Sequence, residues 1–199
     1  MQLSNVTFRG PTIDDPTVLP LLPDNLRGLL EALNGFVQFH GGLHVRGACL
    51  APEWHSLRVA MEGDLALHRM YSRVLVSDVP FAQDCVGDQF LLREGKVLRL
   101  VAETGDVEHV ASGLAAFLES ANADPVEYLS LQPLLKLHDE GGVLEPGMLI
   151  HVYPPFCTKE AANGISVRAV PAREVILFHA ELASKLPGEG GQIQIEVGD

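Results

Sequence analysis

Basic residues are scarce in this chain. Fourteen Lys and Arg stand against twenty-six Asp and Glu, a net charge of −12. Such a surface repels nucleic acid and anionic lipid, and it speeds encounter with a basic partner. Aromatics are few as well, at 6 % of residues, with Trp54 the sole tryptophan. Aliphatic side chains must therefore supply most of any core. The three cysteines, Cys49, Cys85 and Cys157, are widely spaced and include no CxxC pair. That argues against a disulfide framework and for a reducing, cytoplasmic setting. No run approaches the roughly eighteen apolar residues of a membrane span, and MQLSNVTFRGPTIDDP lacks the basic-then-apolar order of a signal peptide. Absent too are a phosphate-binding GxxxxGK[ST], a GxSxG elbow, an HExxH pair and a basic patch with interleaved aromatics. No cofactor, metal, nucleic-acid or membrane partner is expected.

What is present suffices for a folded domain, since 47 % of the residues are apolar. Residues 1–20 read as an irregular arm with one short strand at Val6–Arg9. In LPDNLRGLLEALNG, Leu26, Leu29, Leu30 and Leu33 recur at i, i+3, i+4 and i+7, the stripe of an amphipathic helix. Asp24 is its expected N-cap, and Asn34-Gly35 its left-handed stop. FVQFH and LHVRG then read as two strands of a hairpin turning at Gly41-Gly42. Residues 52–71 start as loop and are expected to end as a helix near 64–70.

The clearest β signal is FAQDCVGDQFLLREGKVLRLVAETGDVEHV, whose turn residues at regular spacing predict an antiparallel meander. Ser112 is the expected cap of the helix SGLAAFLESANA. Residues 125–142 read as one helix with Pro125 in its first turn and a kink at Pro133. MLIHVYP and ISVRAVP read as strands around the loop at 154–164, AREVILFHAELASKL as a helix, and GQIQIEVGD as a closing strand. Strands segregate from helices, which predicts an α+β fold with a mostly antiparallel sheet flanked by helices. The whole of 1–199 is read as a single domain with a C-terminal strand-helix-strand extension.

Candidate chemistry is sparse. His40 and His44 flank the Gly-Gly turn, where an imidazole pair is able to hold a metal, but no carboxylate or third ligand is near in sequence. His151 lies six residues before Cys157, the spacing of a possible base and nucleophile in a stiff Pro-Pro loop, with Cys157 otherwise a small buried apolar residue. Residues 100–134 contain no Lys or Arg, yet include Glu103, Asp106, Glu108, Glu119, Asp124 and Glu127. If the strand at 106–110 and the helix after Ser112 share a side, these residues form an acidic face.

The order of these segments resembles the SUKH superfamily, the group built around the Smi/Knr cell-wall-assembly regulators. The resemblance runs over about 19–122. It rests on the Leu-Pro-led helix ending in Asn34-Gly35, the Trp54 segment PEWHSL, the strand entry VGDQFLL at Gly87-Asp88, KVLRLVAETGDVEHV, and ASGLAAFLES. It implies an α+β fold without catalysis. It also implies a protein-binding role, commonly that of an immunity protein occluding a toxin. On that footing Trp54, Glu103, Asp106, Glu108, His40 and His44 are the expected partner-binding residues, and the partner a basic protein or toxin. Trp54 is open to a core role as well, and Asp88 to bracing its turn. Two further readings stand beside this one: a small-molecule binder or Cys/His enzyme using His40/His44 and His151/Cys157, and a general regulatory scaffold.

Overall fold

The computed structural model describes residues 3–186. Seven strands form one antiparallel sheet in plain sequence order: β1 (Val6–Arg9), β2 (Phe36–Gln38), β3 (Leu43–Val45), β4 (Val79–Asp84), β5 (Gln89–Arg93), β6 (Lys96–Val101) and β7 (Asp106–Ala111). Two more, β8 (Met148–Tyr153) and β9 (Ser166–Pro171), pair as a separate antiparallel hairpin. The helices are α1 (Asp24–Ala32), α2 (Leu57–Met61), α3 (Leu67–Met70), α4 (Leu114–Ala123), α5 (Pro125–Tyr128), α6 (Gln132–Asp139) and α7 (Ala172–Lys185). The fold is α+β with a mostly antiparallel sheet, as the segregation of strands from helices predicts.

The meander is local chemistry made visible. Glu94 and Gly95 both take positive φ, +51° and +79°, the backbone a two-residue hairpin turn between β5 and β6 requires. Strands β4 and β5 are buried on both faces. Phe81, Phe90 and Leu92 join the main core with Leu26 and Leu30 of α1 and Phe117 of α4. Leu91 instead meets Leu67, Tyr71 and Leu100 in a second cluster, which α7 covers with Ala180 and Ala183. With few aromatics available, Phe117 serves as a hub. Its ring centroid lies 5.5 Å from that of Phe81, 4.6 Å from Phe90 and 5.8 Å from Tyr128. The C-terminal part is tied to this core: Ile150 and Val152 belong to it, and Ile150 N donates to Cys85 O at 2.8 Å.

Several boundaries differ from the sequence expectation, each for a local reason. Pro23 occupies the cap of α1 and Asp24 is its first residue, paired with Arg27. The helix stops at Ala32, with Leu33 extended. Gly35 supplies the left-handed conformation (φ +73°) three residues later, on the way into β2. The β2–β3 connection spans four residues, Phe39 to Gly42, and the left-handed positions are Phe39 (φ +53°), His40 (+54°) and Gly41 (+102°). Gly41-Gly42 is therefore not a two-residue turn. Gly113, not Ser112, precedes α4, and no side chain caps it.

The expected helix at 125–142 is two helices. The chain breaks at Ser130 (φ +55°), and Pro133 falls in the first turn of α6, where its missing N–H costs nothing. The helix expected near 64–70 is shortened to α3, and α2 forms within the stretch read as loop. The strand expected at GQIQIEVGD lies outside the described residues.

Candidate functional site

Two groups of buried polar residues sit on the central strands; His44, Trp54, Asp88 and Glu103 are expected from the sequence to matter, but Arg46, His55, Asp84 and His179 are not. The first begins at Arg46, immediately after β3. Its side chain is buried, and Nη1 donates to Pro80 O (2.9 Å) and Ala82 O (3.3 Å). Nη2 donates to Gln83 Oε1 and Gln89 Oε1, both at 2.6 Å. No carboxylate pairs with Arg46 among the described residues, and burial pulls its guanidinium down to about 9.

From Arg46 a chain of hydrogen bonds runs through the core. Gln83 Nε2 meets His44 Nδ1 at 3.3 Å, His44 Nε2 meets His55 Nδ1 at 2.8 Å, and His55 Nε2 meets Asn34 O at 3.0 Å. The far end fixes every proton. Asn34 O is an acceptor, so His55 carries its proton on Nε2 and accepts at Nδ1. His44 must then donate from Nε2 and accept at Nδ1 from the Gln83 amide. Each donor points away from Arg46, so the dipoles align with its charge, the arrangement in which hydrogen bonds reinforce one another. Burial holds both imidazoles below their ordinary value, consistent with two neutral rings beside one cation.

Trp54 closes this group, with ring centroids 5.1 Å from both Phe8 and His44 and 5.3 Å from His55. Against it lies Gly147, at φ +88°, where an added Cβ would sit 2.9 Å from the indole. Arg46, Trp54 and Gln83 border a cavity of about 240 Å³, whose other walls include Ala60, Leu67 and Ile176.

The second group is the turn joining β4 to β5. Asp84 Oδ1 accepts from the backbone N–H of Val86, Gly87 and Asp88, each at 3.0 Å. Its Oδ2 is buried without a hydrogen bond, 3.6 Å from Arg99 Nη2. Burial, then the neighbouring Asp88 charge, push Asp84 well above the usual carboxylate range, against the pull of Arg99. Asp88 holds Arg99 and accepts from Ala102 N at 2.8 Å, so it braces the turn against β6. His179 of α7 is buried, and its Nδ1 makes no hydrogen bond. That nitrogen stands 3.7 Å from where a Cβ on Gly87 (φ +98°) would be, so the glycine leaves it room. Burial, then His151, lower His179 to about 4. Asp88, Arg99, Glu103 and His179 border a cavity of about 450 Å³.

The residues chosen from the sequence are scattered. His40 is exposed in the β2–β3 loop beside His138 (centroids 6.1 Å), while His44 faces inward. The register of the hairpin thus separates the two imidazoles. Both nitrogens of His44 are engaged in the core, so it is neither an open ligand nor a groove residue. Asn34, expected only to end a helix, reaches from Pro11 O (2.9 Å) to Ala48 N (2.7 Å).

Glu103 is not on an acidic face. It is buried and accepts from Phe156 N (3.1 Å) and Cys157 N (2.8 Å), holding the 154–164 loop. Cys157 is exposed rather than buried, and desolvation together with the Glu103 charge raises its thiol to about 11, the opposite of an activated nucleophile. His151 packs against Phe178 (4.9 Å) and makes no hydrogen bond to Cys157. Asp106, Glu108, Glu119, Asp124 and Glu127 are all exposed, and Asp106 pairs with Arg73 at 2.6 Å.

Signals for the missed residues were present but faint. Arg46 interrupts an apolar stretch in LHVRGACL, and DCVGD places two carboxylates around a glycine turn. Among the described residues, no group of three or more His, Cys, Asp or Glu is arranged to hold a metal. No helix there is long and apolar enough to cross a membrane. No family model, curated protein or solved structure matches the chain.

Proposed function

We propose that the chain is a binding module that holds a basic protein through the side formed by β7, α4 and α5. The observation that carries this reading is the set of five exposed carboxylates, Asp106, Glu108, Glu119, Asp124 and Glu127, in a segment with no Lys or Arg. Strand β7 is the edge of the sheet, so this side has no further strand beyond it among the described residues. The excess of acid over base extends the field that would steer a cationic partner inward. The resemblance of 19–122 to SUKH proteins agrees with an immunity-type role, in which occlusion rather than chemistry neutralises a toxin.

The test uses the chain as bait in native lysate at about 50 mM and about 300 mM salt, where the screening length falls severalfold short of the molecule's size. A basic protein retained at low salt, released at high salt and lost with Asp106→Lys/Glu108→Lys supports the reading. Capture indifferent to both salt and charge reversal overturns it.

A second reading, a small-molecule or acid–base site, is favoured by His179, whose Nδ1 makes no hydrogen bond and which borders one cavity together with Asp88, Arg99 and Glu103. It moves the chemistry from His40/His44 and Cys157 to the β4–β5 turn.

A further inference from the structure

The cavity beside Arg46 is rich in donors and poor in acceptors. Three of its bordering residues carry a donor that finds no acceptor among the described residues. The four hydrogen bonds of Arg46 occupy Nη1 and Nη2 and leave Nε–H over. The Trp54 indole N–H and the Ser56 hydroxyl make none. Arg46 and Ser56 are both more than nine-tenths buried, at 4 % and 2 % exposed. The oxygens that do reach Arg46 are neutral carbonyls, so among the described residues its buried charge has no counter-ion. A buried cation in a protein of net charge −12 normally recruits a carboxylate, because desolvation is otherwise uncompensated.

The walls say what else the occupant has. Ala60, Leu67 and Ile176 are apolar, and the volume of about 240 Å³ is below that of common drug-sized sites. At the border, Glu53 lies 3.6 Å from Arg173, so its own negative charge is opposed by a cation.

We infer that this cavity binds a small monoanion with a short apolar tail, its carboxylate taken by the unused donors of Arg46, Trp54 and Ser56 and its tail by the aliphatic wall. A monocarboxylate suits the site better than a phosphate dianion. Arg46 supplies one full charge through a single free N–H, the Trp54 and Ser56 donors are neutral, and the second guanidinium at the border, Arg173, is already opposed by Glu53. Binding supplies the missing counter-ion without disturbing the hydrogen bonds that run from Arg46 to Asn34.

Trp54 is the sole tryptophan and borders this cavity, so tryptophan fluorescence has a single source at its wall. The experiment titrates the whole protein with hexanoate, hexanamide and hexan-1-ol at constant ionic strength. Expected is a saturable change with hexanoate at a Kd at least about tenfold lower than for either neutral analogue, the size of one charge-assisted hydrogen bond. Acetate, which lacks the tail, binds at least about tenfold more weakly than hexanoate. Ala60→Phe fills the apolar wall while keeping Arg46, and it abolishes the response in protein that still unfolds cooperatively. Equal affinity for hexanoate and hexan-1-ol, or no saturable signal with any of them, overturns the inference. So does an unchanged hexanoate response in folded Ala60→Phe. The comparison of head groups in the unmodified protein stands even where that variant fails to fold.

Discussion

Arg46 and Asp84 are two buried ionisable groups at the ends of neighbouring strands, and the molecule handles them in opposite ways. Arg46 keeps its charge by spreading it over four neutral oxygens and a directed relay of amide and imidazoles. Asp84 has three backbone donors on one oxygen and no hydrogen bond on the other, and it shares Arg99 with Asp88. The difference follows from what surrounds each group. The β3–β4–β5 interior offers carbonyls and glutamines, which stabilise a cation and cannot neutralise it. The β4–β5 turn offers N–H groups, which stabilise an anion, but it also holds a second anion. Successive residues Gln83 and Asp84 serve the two groups, as the alternation of side chains along a strand requires.

The largest expected effect comes from breaking the first arrangement. Arg46→Met removes four hydrogen bonds from the interior in one step, and urea denaturation should show a loss of about 3–5 kcal/mol. A loss under about 1 kcal/mol would mean that the buried cation is not what joins β3 to β4 and β5.

The second arrangement is sharpened by pH. The folded Asp84 carboxyl titrates above its unfolded value, so the unfolded chain gives up its proton first. Stability therefore falls as pH rises from about 4 to about 8. Asp84→Asn keeps an acceptor for the three N–H groups and cannot ionise. It should remove about 2 kcal/mol of that fall, read as the difference between the two proteins' unfolding midpoints at pH 5 and pH 8. A variant that tracks the unmodified protein across this range would show that Asp84 is ionised throughout.

The smallest effect is opposite in sign. His179 is lowered to about 4 in the folded state, so protonation favours the unfolded chain. Stability is gained as pH rises from about 4 to about 6.5. His179→Gln should flatten that acid limb by about 1 kcal/mol and leave the range above pH 7 unchanged. If the slope persists in the variant, another group sets it.

The meander was legible because its signals are local. Glu94-Gly95 dictates its own turn, and the period-2 runs on either side dictate their strands. The α1 stripe of Leu26, Leu29, Leu30 and Leu33 was legible for the same reason. The β2–β3 turn was not, because the left-handed positions fall on Phe39 and His40, residues that accept such a backbone only when their surroundings hold it. The break at Ser130 was hidden by an unbroken apolar pattern. Glu103 read as surface because nothing in its neighbourhood announces that the loop at Phe156 and Cys157, more than fifty residues on, brings two N–H groups to it.

The sequence by itself determined the class of fold, the acidic character and the absence of familiar catalytic motifs, since composition, period and turn chemistry are properties of short windows. Only the tertiary structure decided where the polar residues act. It drew His44 and His55 into one relay, left His40 outside it, and set His179 against Gly87 across more than ninety residues of chain. The reason is that a buried polar group takes its identity from its partners, and those partners are neighbours only after the chain has folded.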